Sequence, residues 1–248
     1  MKAQAKGFIV VVSLIGLAVL GYGALHLGSS DLLRFGSFLA VALIASRMKV
    51  RLPGMTGAMS VNMPFIVIAA CQMSLFESLI VACGCSLVQS LLAAEKRPAA
   101  VQVWFNFCLM AISAGAAFAT FHAPFWGRQA SNFPVLLTVS ACAYFLANTV
   151  PVAVIITLTE GGDVFKTWYS IFQWTFPYYV ASAGLGTIFI TAVAYVGWHV
   201  PLMLLPVMAG IYLSYKTICG RVAAVMARKA PGRAYPAATL RAAATDGD

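Results

Sequence analysis

Residues 62–94 read NMPFIVIAACQMSLFESLIVACGCSLVQSLLAA, and how many times this stretch crosses an apolar phase decides the fold. Its 33 residues are too many for one ordinary transmembrane helix, which needs about 20, and barely enough for two. The flanking charges resolve the count. Arg47, Lys49 and Arg51 precede the stretch, and Lys96 and Arg97 follow it. Loops rich in Lys and Arg stay on the cytoplasmic side, so an even number of crossings must separate these two. The stretch therefore holds two helices that turn near residues 72–76.

Working outward, Lys2 and Lys6 precede an apolar run over 7–27. A signal peptide is the alternative reading, but the run is long and has no small-x-small cleavage pattern before Ser29, which favours a retained helix. A second span covers 32–46 and stops at the basic loop, where Leu52, Pro53 and Gly54 prevent continuation. Past Lys96 and Arg97 comes a span at 101–121, then an outer loop over 122–132 with Pro124, Gly127 and Arg128. The span at 133–158 ends at Glu160-Gly161-Gly162-Asp163, whose glycines read as a helix stop before an amphipathic connector carrying Lys166 and Trp168. A span at 171–196, a tight turn over 197–201 and a last span at 202–218 follow. The expected fold is an all-α polytopic membrane bundle over 1–229. Its eight spans are 7–27, 32–46, 58–72, 76–94, 101–121, 133–158, 171–196 and 202–218. With both termini cytoplasmic, this arrangement puts every Lys and Arg inside except Arg34 and Arg128. The tail over 230–248, rich in Ala, Pro, Gly and Thr, is expected to be disordered.

Composition agrees. Of 248 residues 61% are hydrophobic and 9% charged, too few to wet a soluble globule, and the spans leave no space for a sizeable soluble catalytic domain. A net charge of +9 would suggest nucleic acid in a soluble protein; here the charges lie between apolar runs and orient the chain. Such a chain is expected in the bacterial inner membrane, with the lipid bilayer as its first partner and no nucleic acid. The six cysteines lie in or beside apolar runs without a CxxC pair, which speaks for small core residues rather than a disulfide framework or zinc site.

Polar residues in the apolar runs carry the functional information, because an unsatisfied amide or carboxylate in hydrocarbon is costly and turns toward the bundle interior. Asn62, Glu77, Asn106, Asn148 and Gln173 stand out. Either they converge on a polar cavity, or they hydrogen-bond helix to helix as structural glue. Helical spacing groups them into three faces expected to look inward: Ser78, Ala82, Cys85 and Gln89; Gln102, Asn106, Ser113 and Ala117; Gln173, Pro177, Ala181 and Gly184. Pro64, Pro151 and Pro177 lie near Asn62, Asn148 and Gln173, where carbonyls freed by proline would add acceptors. Glu77 either titrates, faces outward, or pairs with Arg34. His26, His122 and His199 fall at outer helix ends without ligand spacing, so no metal is assigned. In WYSIFQWTFPYY (168–179), Trp168 and Tyr169 suit an interfacial belt, whereas Phe176, Tyr178 and Tyr179 run deeper and fit a pocket or the core equally well. The candidate ligand-binding set is Asn62, Glu77, Gln89, Asn106, Asn148, Gln173 and Tyr178. No P-loop, HExxH, GxSxG or paired acidic motif is present, so no catalytic residue and no cofactor is assigned and the chain does not read as an enzyme.

A family resemblance rests on MSVNMPFIVIAA (59–70), the turn with Glu77, KRP (96–98) followed by VQVWFNF (101–107), and ANTVPVAVIITLTEGGDVFKTWYSIFQWTFPYY (147–179). Over roughly residues 55–218 the order and spacing resemble the multi-helix N-terminal membrane module of bacterial HD-GYP phosphodiesterases and GGDEF cyclases. The joint run of RP-x-x-x-Q-x-x-FN and N-T-x(10)-E-G is its most specific part. The resemblance implies a sensory or ligand-binding module that signals to cyclic-di-GMP chemistry. Because neither output sequence follows the last span here, the expected output is a separate cytoplasmic signalling protein. Two other classes remain open: a small-solute transporter or its substrate-binding subunit, served by an ATPase, and a structural subunit of a membrane complex.

Overall fold

The computed structural model of the chain describes residues 3–26, 31–51, 58–60, 62–92, 98–124, 133–197 and 200–229. They form eight helices: α1 (Ala3–Leu25), α2 (Leu32–Ala45), α3 (Met63–Gln72), α4 (Leu75–Leu91), α5 (Ala100–Phe121), α6 (Phe133–Glu160), α7 (Val164–Val196) and α8 (Val200–Lys229). Between α2 and α3 lie two short antiparallel strands, β1 (Lys49–Arg51) and β2 (Ala58–Ser60), with Lys49 opposite Ser60 and Arg51 opposite Ala58. Among the described residues α1, α5, α6 and Met203–Val225 within α8 are long and apolar enough to cross a membrane. Val10, Val11, Leu14 and Ile15 of α1 are about half exposed or more, an apolar surface that suits lipid and not water.

The stretch 62–94 does divide in two. α3 ends at Gln72 and α4 starts at Leu75, after Ser74 and Glu77 close a reciprocal capping box. The earlier boundary is corrected: 58–60 belong to a strand that pairs with β1, and α3 keeps only 10 residues, about 15 Å of helix. That is half of a roughly 30 Å hydrocarbon layer. α3 is no lipid-facing span, because every residue from Met63 to Cys71 is buried, with α4, α5, α6 and α7 packed around it. An all-apolar helix enclosed on every side needs no amphipathic stripe, which is why MPFIVIAAC carries none.

Consecutive helices α1 to α7 alternate in direction. One end of the bundle gathers Arg34 at the start of α2, Gln72 at the end of α3 and His122 after α5, where Arg34 Nη2 donates to Gln72 Oε1 at 3.1 Å and His122 Nε2 to the Ala70 carbonyl at 3.2 Å. Ser46 after α2 meets Asn62 before α3, and in the α6–α7 turn Gly161 and Gly162 take φ of 89° and 110°, open to glycine with little strain. Helix α1 lies along α5 through small residues. A Cβ on Gly16 would come within 2.9 Å of the Cys108 Cα and carbonyl oxygen, and one on Gly115 within 2.8 Å of Val19 Cγ1.

Further boundaries move. Lys166 and Trp168 sit in the first turns of α7, not in a separate connector, because Asp163 accepts from the Lys166 N–H at 2.8 Å and starts the helix there. α8 continues past 218 to Lys229. The Leu52-Pro53-Gly54 stop, Lys96, Arg97, Arg128, His199 and the tail over 230–248 lie outside the described residues.

Candidate functional site

The uncapped start of α3 organises the interior. Asn62 occupies the N-cap position but makes no side-chain cap bond. Its amide instead donates from Nδ2 to Ser46 Oγ at 3.3 Å, and Ser46 Oγ donates to the Ala42 carbonyl at 2.8 Å. Cys85 Sγ approaches the same Ala42 oxygen at 3.5 Å. Asn62, Ser46 and Cys85 are all buried, so the end of α2, the start of α3 and the middle of α4 share one polar knot. Since α4 runs on from Cys85 to Leu91, about 9 Å further, the N-terminus of α3 opens inside the bundle.

Tyrosines extend this knot toward α6 and α7. Tyr144, 1% exposed, has Tyr178, Tyr179 and Cys85 as ionisable neighbours, and its hydroxyl meets Met110 Sδ at 3.0 Å. The Tyr179 hydroxyl accepts from Asn148 Nδ2 at 3.2 Å. Phe145 lies edge-on to the Tyr179 ring, with centroids 4.6 Å apart. Tyr178, 1% exposed, contacts Tyr215 of α8 edge-on at 6.2 Å. Below them Trp168 Nε1 donates to Thr149 Oγ1 at 3.1 Å, so Trp168 is tied inward as well as suited to an interface.

Three of the seven sequence candidates, Asn62, Asn148 and Tyr178, thus meet in one interior lined by Ser46, Cys85, Tyr144 and Tyr179. The others do not join it. Glu77 accepts from the Ser74 N–H at 3.0 Å and from the Ser74 hydroxyl at 2.9 Å, which satisfies it locally at the other end of the bundle. Of the alternatives left open for Glu77, the pair with Arg34 does not form, and Arg34 bonds Gln72 instead. Gln89 and Asn106 are half-buried and Gln102 is exposed. On α7 the expected inward face is reversed: Gln173, Pro177, Ala181 and Gly184 are exposed, while Ile171, Thr175, Tyr178 and Ser182 are buried. Small residues at helical spacing mark close approach only when a second helix is there to use it; on α7 the aromatic side won that contact. For the same reason the carbonyl freed by Pro177 opens outward, and only the one freed by Pro151, beside Asn148, stays with the amides.

Sequence reading missed Ser46, Tyr144 and Ser182, and left Tyr179 between a pocket and the core. Ser46 looked like the edge of a basic loop, and Ser182 like one more small residue. Its spacing of four from Tyr178 was the available signal. Among the described residues no three His, Cys, Asp or Glu side chains gather as a metal site.

The model of the MASE9 family, whose members are membrane-associated sensor domains, matches residues 10–218. No curated protein and no solved structure matches the chain.

Proposed function

The chain belongs to the MASE9 family of membrane-associated sensor domains, and from that membership we propose that it is a multi-pass sensor of the bacterial inner membrane whose output is cyclic-di-GMP chemistry in a cytoplasmic partner. The family match supports the sensing role, and the observation that carries the reading is the half-length helix α3, whose N-terminus ends at Asn62 among buried hydroxyls. In this reading all eight helices form the membrane body with both termini cytoplasmic, so the β1–β2 sheet with Lys49 and Arg51 lies at the cytoplasmic face. The ligand meets Asn62, Asn148 and Tyr178. Binding that favours one packing of α3 against α2 and α7 shifts the population of states and alters what that face presents. The chain binds and relays; the chemistry belongs to the partner.

The test is crosslinking in native membranes followed by mass spectrometry of the proteins captured with the chain. A cyclase or phosphodiesterase of cyclic di-GMP is the expected outcome. An ATPase or transport partner overturns the sensor reading for a transporter, a reading to which α3 also lends itself, because helices broken inside the bilayer build many substrate sites. A stable complex containing neither makes the chain a structural subunit.

A further inference from the structure

Hydroxyls on membrane helices ordinarily satisfy themselves by bonding the carbonyl four residues back. Here Thr175 bonds Ile171 at 2.7 Å and Thr187 bonds Ala183 at 3.0 Å, both on α7. Ser182, between them, does not bond the carbonyl of Tyr178. Its Oγ is buried without any hydrogen-bond partner, and so is the Tyr178 hydroxyl. Both residues are 1% exposed. Ser182 Oγ and the Met63 backbone lie beside the Tyr178 hydroxyl, yet it has no hydrogen-bond partner. Met63 is the first residue of α3, where the N–H has no carbonyl inside the helix to donate to and the Asn62 side chain does not cap. Pro64 next to it has no N–H at all. Buried polar groups left without a partner mark the place of an oxygen that would satisfy them. Without one, unpaired groups are held in a low-dielectric interior, which is costly for each.

We propose that the Tyr178 and Ser182 hydroxyls and the open N-terminus of α3 at Met63 form a binding site for one small oxygen-bearing molecule, water or a solute of a few heavy atoms, that accepts hydrogen bonds from them. The positive end of the α3 dipole favours such an acceptor, and the near-complete burial of both side chains limits its size. Because Tyr178 also touches Tyr215 of α8, occupancy connects α3, α7 and α8 through one molecule. This deepens the ligand-binding part of the sensor reading and rests on that reading only for the consequence of binding.

The variants Tyr178→Phe and Ser182→Ala remove one hydroxyl each and keep the packing. In the full chain in nanodiscs, each is expected to lower the thermal midpoint by about 2–4 °C. The double variant should lose no more than the larger single one, since both lose the same molecule. A midpoint that stays or rises in both single variants overturns the proposal, because trimming an empty, unsatisfied hydroxyl has that result. Density for an oxygen between Tyr178 and Ser182 in an experimental map supports the site; a dry gap overturns it. Native mass spectrometry separates the sources: mass bound to the wild type and absent from Tyr178→Phe identifies a solute, and density without added mass identifies water. Stability and density are read without a partner, so failure to capture a cyclase or phosphodiesterase sinks the sensor reading and leaves this site standing.

Discussion

Arg34 Nη2 donates to Gln72 Oε1 at 3.1 Å, which ties the first turn of α2 to the last residue of α3 and leaves the nearby carboxylate of Glu77 free to cap α4. The cation therefore does not serve the anion. It serves a neutral amide, and the anion serves backbone and hydroxyl donors.

Glu77 then acts as an acceptor rather than as a charge. Glu77→Gln, which can still accept from the Ser74 N–H, should unfold at nearly the wild-type denaturant concentration. Ser74→Ala and Glu77→Ala should each cost about 1 kcal/mol, the usual value of an N-terminal cap. Chemical unfolding in detergent micelles measures all three. If Glu77→Gln proves as damaging as Glu77→Ala, the carboxylate has a charge-dependent role that its contacts do not explain.

The crossing of α1 and α5 sets a second expectation. A side chain at Gly16 meets backbone atoms of Cys108, which cannot swing aside as a side-chain tip can. Gly16→Leu should push α1 off α5 and destabilise the protein by about 1–3 kcal/mol, as overpacking does. Gly21→Leu, with nothing within 4 Å of its added Cβ, is the control and should be neutral. A cysteine pair placed at Ser13 and Trp104, which touch through a 2.9 Å hydrogen bond in the native protein, reports docking by crosslinking yield. Equal yields in the two glycine variants would contradict the close approach.

Asn148 and Tyr179 form the third case. Their bond joins α6 to α7 in a half-buried setting, where interhelical hydrogen bonds in membranes are worth about 0.6 kcal/mol and at most about 1.7. A double-mutant cycle with Asn148→Leu and Tyr179→Phe should return a coupling energy in that range. A coupling near zero would mean that each residue finds another partner and that the bond does not hold the interior together.

How far the sequence could be read differs from one element to the next. Charge parity located the turn between α3 and α4, because loop charge is a signal carried by the chain itself. Half-length α3 was not legible: nothing in Ala58–Ser60 sets it apart from the start of a span, and pairing with Lys49–Arg51 makes those residues a strand. Asn62 and Asn148 were found because an amide in an apolar run has few places to go. Gln173 was misplaced because its side of α7 resembles a packing face by spacing, whereas Tyr178, Tyr179 and Thr175 fill the contact with α3 and α6. Ser46 carries no sequence signal beyond being serine, and its role arises only when the ends of α2 and α3 come together; Ser182 offers only its spacing of four from Tyr178.

Lys49 supplies a pH dependence whose sign is fixed by its surroundings. It lies in β1, half-buried, and burial holds its ammonium below the ordinary pKa of 10.5. The unfolded chain keeps that proton to higher pH than the folded protein does. Between the depressed folded value and 10.5 the unfolded state thus binds more protons, and stability rises with pH through that window. Below it, both states are charged and the folded protein bears the full cost of desolvating an ammonium. Lys49→Met removes this cost, so the variant should unfold at a higher temperature than the wild type at pH 7, and the gap should narrow toward pH 10. Melting curves in buffered detergent at both pH values decide the matter. A gap that widens with pH would mean that an anion favours the charge, and Lys49 would then be a contact for acidic lipid or protein at this end of the bundle.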